Sequence, residues 1–317
     1  MIVYYICIIL GLFATELIYF RIADRCNIID KPNERNSHSR ITLRGGGVIF
    51  YLGALAYFVT NGFIYPWFML GLTLISLISF VDDVRSVSQR TRLLLHFTAM
   101  GPLFYQWGLF AFPWWWLLIA LIVCTGIINA YNFMDGINGI TGGYSLVVLG
   151  FLAYINHQMI TFVDPVFIYV MLIAVVIFNF FNFRKNARCF AGDVGSVSMA
   201  FIVVFLIGKL MILTRDLSWI ILLVVYGVDS VFTILHRLML KENIGLPHRK
   251  HLYQLMANEL SIPHWLVSCG YMGVQIIMGA GYLYLWQYGY GYLFAVTVLL
   301  GIVYIVFMRK YFHLHIR

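Results

Sequence analysis

Charge is scarce in this chain. Of 317 residues, 11% are Asp, Glu, Lys or Arg, while 62% are hydrophobic. Soluble domains carry roughly 25% charged residues, so this balance excludes a water-soluble globule and requires a polytopic membrane protein. Cysteine is sparse as well. Cys7, Cys26, Cys124, Cys189 and Cys269 form no C-x-x-C pair, which excludes a zinc ribbon and a disulfide framework and leaves reduced, incidental thiols. Internal repeats are missing, and with them the usual sign of a two-fold transporter. The first apolar run has no Lys or Arg ahead of it, contains Glu16, and is followed by no small-residue cleavage pattern. It is therefore expected to be a retained span and not a cleaved signal.

What is present is apolar length. Eleven runs read as spanning helices: 2–20, 47–62, 64–81, 93–109, 112–128, 142–156, 164–183, 196–214, 217–236, 264–286 and 291–308. The sixth is short and interrupted by glycine. Nineteen of the 21 Lys and Arg residues fall in five segments, 21–47, 85–92, 184–188, 237–250 and 309–317. With eleven spans, all five lie on one side. The positive-inside rule makes that side cytoplasmic, with the N-terminus out and the C-terminus in. Topology accounts for the cations on that side. It does not account for the carboxylates gathered with them.

The chain is organised around Asn129–Gly143, which follows the run 112–128 directly. It holds Asn129, Asn132, Asp135 and Asn138, with glycines at 136, 139, 142 and 143. On a helix Asn129 and Asn132 share a face, as do Asn132 and Asp135. Amide oxygens, a carboxylate and permissive backbone at a membrane edge suit a hard cation and its phosphates. A polar cap followed by a turn is the alternative.

Four further features lie on the same side. The loop 30–47 holds Arg35, His38, Arg40 and Arg44 and ends on Gly45-Gly46-Gly47. Its cations and glycine N–H groups could meet an anion, or it could be a solvated loop. Asp82 and Asp83 end the third run, where they repel each other and face the negative end of the helix dipole. Arg85 could pair with one, and Asp83 could cap the next turn. Asp193 stands between Gly192 and Gly195, just ahead of a helix expected to start near Ser196 as its N-cap. Asp193 is then a cap, or holds a metal over a phosphate bound at the helix end. Finally, Pro247 leads into His248, Arg249, Lys250 and His251. Two His without a third ligand argue against zinc, and Arg forks match phosphate oxygens. Asp229, inside the ninth run, is expected to support the site, with His236 or a neighbouring helix as partner.

Together and in this order, Lys31-Pro-Asn…Ser37-His38…Arg44-Gly-Gly-Gly47, Asp82-Asp83, Asn129…Asn132…Asp135-Gly…Asn138-Gly, Gly192-Asp193-Val-Gly-Ser196 and Pro247-His-Arg-Lys-His251-Leu-Tyr-Gln resemble the polyprenyl-phosphate N-acetylhexosamine-1-phosphate transferases of glycosyltransferase family 4. The His-Arg-Lys-His loop and the eleven-span count look like the branch that initiates O-antigen and enterobacterial common antigen. The branch making the first peptidoglycan lipid intermediate usually has three His there. Asn138 stands where many members have Asp.

The resemblance implies an all-α polytopic fold of about eleven transmembrane helices, one domain over residues 1–317, in the bacterial cytoplasmic membrane, with its active-site cleft on the cytoplasmic face. It implies transfer of a sugar-1-phosphate from a UDP-N-acetylhexosamine to undecaprenyl phosphate, releasing UMP. Magnesium is the expected cofactor, with manganese as a substitute. Asn132 and Asp193 would be the metal ligands. Asp82 would deprotonate or orient the lipid phosphate, Asp83 would support it or the metal, and Asp135 would position the nucleotide or order the site. Asn129, Asn138, Arg44, His38, His248, Arg249 and His251 would bind substrate. The expected partners are both substrates and the bilayer, with no nucleic acid and with a homodimer left open. GlcNAc, GalNAc, QuiNAc and FucNAc all stay open as the sugar. One-step displacement is preferred to a phosphorylated Asp, because the acceptor is already an anionic phosphate. The rivals are a transporter of a sugar phosphate or lipid-linked precursor and a membrane scaffold without chemistry.

Overall fold

A computed structural model describes residues 1–30, 41–85, 87–245 and 248–315. Each of the eleven apolar runs forms a helix. The helices are α1 (Ile2–Arg25), α2 (Val48–Thr60), α3 (Pro66–Val84), α4 (Gln89–Gln106), α5 (Trp114–Met134), α6 (Ile140–Gln158), α7 (Pro165–Asn182), α8 (Gly192–Thr214), α9 (Val224–Met239), the single turn α10 (Leu252–Gln254), α11 (His264–Tyr284) and α12 (Gly289–Tyr311). A tighter helical stretch, Leu217–Leu223, leads into α9. Helix starts follow local chemistry. Pro66 and Pro165 sit at the first turn, where a missing N–H costs nothing. The Ser88 and Asp164 side chains accept the free N–H groups of Thr91 and Val166.

Among the described residues, eight helical segments are long and apolar enough to cross a membrane. They include α1, α3, α5, α7, α8 and α11, the stretch Leu217–Met239, and the one containing α12. The runs at 47–62, 93–109 and 142–156 are helical but do not meet that measure. At 13 residues, α2 is roughly 20 Å long, short of the ~30 Å hydrocarbon core. The glycines that interrupt α6 serve close packing. A Cβ at Gly142 would meet the Asn179 amide at 2.3 Å, and one at Gly143 would meet Met272 at 2.6 Å.

The axis of the bundle is α8. Every residue from Val194 to Ile207 is buried, the mark of a helix enclosed on all sides. Around it pack α2, α3, α5 and α6. Ser76 on α3 and Ser198 on α8 share a hydrogen bond of 2.8 Å inside the bundle.

The loop between α1 and α2 is tied to the start of α8. Strands β1 (Ile29–Asp30) and β2 (Thr42–Leu43) pair antiparallel. Leu43 then bridges to Cys189, and the Gly46 and Gly47 N–H groups donate to the Phe190 and Ala191 carbonyls at 2.9 and 3.0 Å. This corrects the expectation for the glycine run: those two N–H groups hold backbone, not an anion. The glycines are needed because a Cβ on Gly47 would lie 2.3 Å from the Gly195 Cα. His38, Arg35 and Arg40 lie outside the described residues.

Candidate active site

The loop before α2, the C-terminal ends of α3 and α5, the N-terminal ends of α4 and α8, and the segment after α9 meet at one end of the bundle. Asp83 is the brace. Its side chain is fully buried, and its two oxygens accept the Asp193 and Val194 N–H groups, each at 2.9 Å. Thus α3 caps α8, satisfying orphan donors at a positive helix end. Arg44 Nε lies 2.7 Å from Asp83 Oδ1, and Arg44 also reaches Asp193 Oδ1 at 3.3 Å. The capping role expected of Asp83 is present, but on a distant helix. The helix starts at Gly192, so Asp193 is in its first turn. Ser196, expected as the N-cap, is inside and donates back to the Gly192 carbonyl.

Arg92 supplies the cation expected of Arg85. One guanidinium nitrogen sits 3.1 Å from Asp82 Oδ2 and 3.2 Å from Asp193 Oδ2. The other Asp82 oxygen accepts the Val87 N–H at 2.6 Å. Arg85 is exposed at the end of α3. Sequence reading passed over Arg92, although one signal was there. A cation in the first turn of a helix opposes the dipole and needs a carboxylate elsewhere to hold it.

The end of α5 brings Asn132 to this cluster. Its amide nitrogen donates to Asp193 Oδ1 and to Ser196 Oγ, both at 3.1 Å. Asp135, just past the helix, accepts from Thr141 Oγ1 at 2.6 Å, and burial pushes its pKa up to about 7. Asn138 donates to the Arg184 and Lys185 carbonyls at 2.9 and 3.3 Å, which fixes the turn to the end of α7. Asn129 lines the cavity one turn before Asn132.

On the far side stands the basic loop. His251 Nδ1 is 3.3 Å from Asp229 Oδ1, and the Leu252 N–H donates to the same oxygen at 3.0 Å. Asp229 therefore has His251 as partner, not His236, which packs against Phe312. Arg237, on the same helix, donates to Glu242 and to the Asn243 and Ile244 carbonyls. Burial drives His248 down to about 3. Arg249 reaches Glu259 at 3.7 Å.

These groups line one cavity of about 1020 Å³, with Arg44, Arg92, Asn132, Asp135, Asp193, His248 and His251 among its walls. The cavity continues between α4, α5 and α9 past Leu93, Val123, Ile127, Val231 and Ile234. In this arm a Cβ on Gly126 or Gly227 would meet nothing within 4 Å. A charged, oxygen-rich chamber thus opens into an apolar one.

A family model described as glycosyl transferase family 4 matches residues 65–211, the segment that carries Asp82, Asp83, Arg92, Asn132, Asp135 and Asp193. That segment is similar to glycosyl transferase family 4. It is 26% identical over 265 residues to a Bacillus subtilis (strain 168) protein named "Probable undecaprenyl-phosphate N-acetylglucosaminyl 1-phosphate transferase", covering 76% of this chain and 73% of that protein. It is 27% identical over 227 residues to the undecaprenyl-phosphate alpha-N-acetylglucosaminyl 1-phosphate transferase of Yersinia pestis, covering 61% and 62%. It is 24% identical over 277 residues to the like-named protein of Escherichia coli (strain K12), covering 77% and 74%.

The donor set can be tested against a metal. Among the described residues no three His, Cys, Asp or Glu side chains form a metal cluster. What converges is two carboxylates, Asp82 and Asp193, with Asn132 beside them; its amide nitrogen faces Asp193, so its oxygen would have to turn to join a metal. That set suits magnesium, which typically takes one or two carboxylates and leaves its other positions to water and substrate phosphate. A cationic nitrogen, that of Arg92, stands between the two carboxylates. The chamber is therefore built to hold positive charge at that point.

Proposed function

We propose that this chain transfers an N-acetylhexosamine-1-phosphate from a UDP-sugar to undecaprenyl phosphate. The acceptor phosphate oxygen bonds to the phosphorus that bears the sugar. The bond from that phosphorus to the UMP oxygen breaks, UMP leaves, and undecaprenyl-diphosphate-sugar stays in the bilayer. One observation carries the reading: a single cavity joins a carboxylate and arginine cluster to an apolar arm, so a water-soluble anion and a lipid can meet in it. The names of the relatives supply the substrate class, and N-acetylglucosamine is the first sugar to test.

Phosphoryl transfer depends on positioning and charge neutralisation more than on covalent help. Asp82 and Asp193, with Asn132, would hold magnesium, which when bound neutralises phosphate charge. Arg44 and Arg92 bring further positive charge to the same point. Asp82, joined to the cavity-lining Arg92, orients the acceptor phosphate. Asp83, with both oxygens engaged, holds the start of α8 in place. Asp135, Asn129 and Asn138 border the nucleotide and sugar, and the loop 248–251 faces the diphosphate. The basic residues of this end support a position at the cytoplasmic face of a bacterial membrane under the positive-inside rule.

The test uses purified protein, undecaprenyl phosphate, magnesium and a panel of UDP-sugars, with UMP release and mass spectrometry of the lipid product as readouts. Release with at least one UDP-N-acetylhexosamine, abolished by EDTA and restored by magnesium, is expected. No release with any of them would overturn the reading.

A further inference from the structure

Asp229 is a buried carboxylate away from the Asp82, Asp83 and Asp193 cluster, and it is fully engaged. Tyr271 on α11 donates to its Oδ2 at 2.6 Å. Thr233, one turn on along α9, donates to Oδ1 at 3.1 Å and shares a 3.0 Å hydrogen bond with Tyr304 of α12. The Leu252 N–H and His251 Nδ1 complete the set at 3.0 and 3.3 Å. Three helices thus fix one carboxylate, and that carboxylate fixes the loop after α9.

The consequence falls on His251. A carboxylate at Nδ1 favours the tautomer that carries its proton there and leaves Nε2 as the acceptor. His251 lines the cavity, its side chain is only 2% exposed, and Nε2 has no partner among the described residues. The ring is held between Phe133, at a centroid distance of 6.1 Å, and Tyr253, at 5.8 Å. A buried polar atom left unpaired costs free energy, so an unpaired nitrogen on a cavity wall, in a ring that cannot turn away, is poised for a ligand.

We infer that Asp229 is a positioning residue: with Tyr271 and Thr233 it locks His251 so that Nε2 is offered to a phosphate oxygen of the sugar nucleotide. This rests on the transferase reading above. Carboxylates behind a working imidazole cost about 10- to 100-fold in activity when altered, and that range is expected for Asp229→Asn.

The experiment is a double-mutant cycle in the full-length protein, with undecaprenyl phosphate and UDP-N-acetylglucosamine as probes and UMP release as the readout. If Asp229 acts through His251, Asp229→Asn lowers kcat/KM in the wild type but changes it by less than about twofold in the His251→Ala background. Equal losses in both backgrounds would overturn the inference. Tyr271→Phe, which removes only the 2.6 Å hydrogen bond, should give a smaller loss in the same direction and serves where Asp229→Asn fails to fold. A second readout is independent of turnover. In protein with ¹⁵N-labelled histidine, the His251 ring should carry a proton on Nδ1, and Asp229→Asn should shift it toward the other tautomer. An unchanged spectrum would overturn the positioning role even in an active enzyme. A changed spectrum in a protein that releases no UMP would count against the transferase reading alone.

Discussion

One nitrogen of Arg92 lies 3.1 Å from Asp82 and 3.2 Å from Asp193. It joins the end of α3 to the start of α8 across the mouth of the cavity. Because a single nitrogen makes both contacts, a point charge can replace it better than a neutral chain can. Arg92→Lys should keep kcat/KM within about tenfold of wild type, whereas Arg92→Met should lose roughly 100-fold or more, the scale of one electrostatic stabiliser. UMP release from both variants measures this, and equal activity in the two would contradict it.

Adjacent carboxylates should fail in different ways. Asp83 is enclosed and holds two N–H groups and Arg44. Asp83→Ala strands them and should cost about 3–5 kcal/mol of stability, read as a lower Tm in detergent. Asp82→Asn can still accept the Val87 N–H, so it should unfold near the wild-type temperature while losing about 100-fold or more in UMP release. A stable, inactive Asp83→Ala would reverse these roles.

The pH dependence of stability should expose Asp135. Its carboxyl has a pKa of about 7 in the fold against an ordinary 3.8, with burial as the main cause. The folded state therefore binds the extra proton between those values. Stability contributed by the protonated carboxyl is present at low pH and lost as pH rises toward and through 7. Asp135→Asn removes that loss. The Tm difference between variant and wild type should be smallest below about pH 4, grow in the variant's favour from there to about pH 7 and level off above. His248, held down near 3, acts in the opposite sense: burying it neutral costs stability as pH falls below its ordinary value. That is why the comparison must be made between variants.

Filling the apolar arm should separate the two substrates. Side chains at Gly126 and Gly227 would project into open space, so Gly126→Leu and Gly227→Leu should fold. Both should raise KM for undecaprenyl phosphate about tenfold and leave KM for the UDP-sugar within about twofold, because uniform loss of ground-state binding appears in KM. Equal effects on both would place the lipid elsewhere.

Gly192 carries φ +71°, and a Cβ there would lie 2.6 Å from Asp83 Oδ2 and 2.8 Å from the Gly45 nitrogen. Gly192→Ala should lower both Tm and UMP release, since it pushes apart the brace and the loop that carries Arg44. A variant with wild-type stability and activity would show that the junction has slack.

That the chain is an all-helical membrane protein was legible in the sequence, because apolar runs are local properties set by the bilayer; the count of eleven spans was not, since eight described helical segments are long and apolar enough to cross. Also legible was that Asp82, Asn132 and Asp193, each at the edge of a run where polar groups are costly unless used, would gather at one site. Pairing was not legible. That Arg92 and not Arg85 joins Asp82 to Asp193, that Asp83 caps α8, and that Asp229 holds His251 and not His236, depend on which helix ends meet. Contacts between residues more than 100 positions apart, as between Asp83 and Asp193, are decided by the packing of α3 against a fully enclosed α8. No periodicity within either run encodes that neighbour. The sequence supplied the charged and polar groups; only the packed bundle decided which of them answer each other.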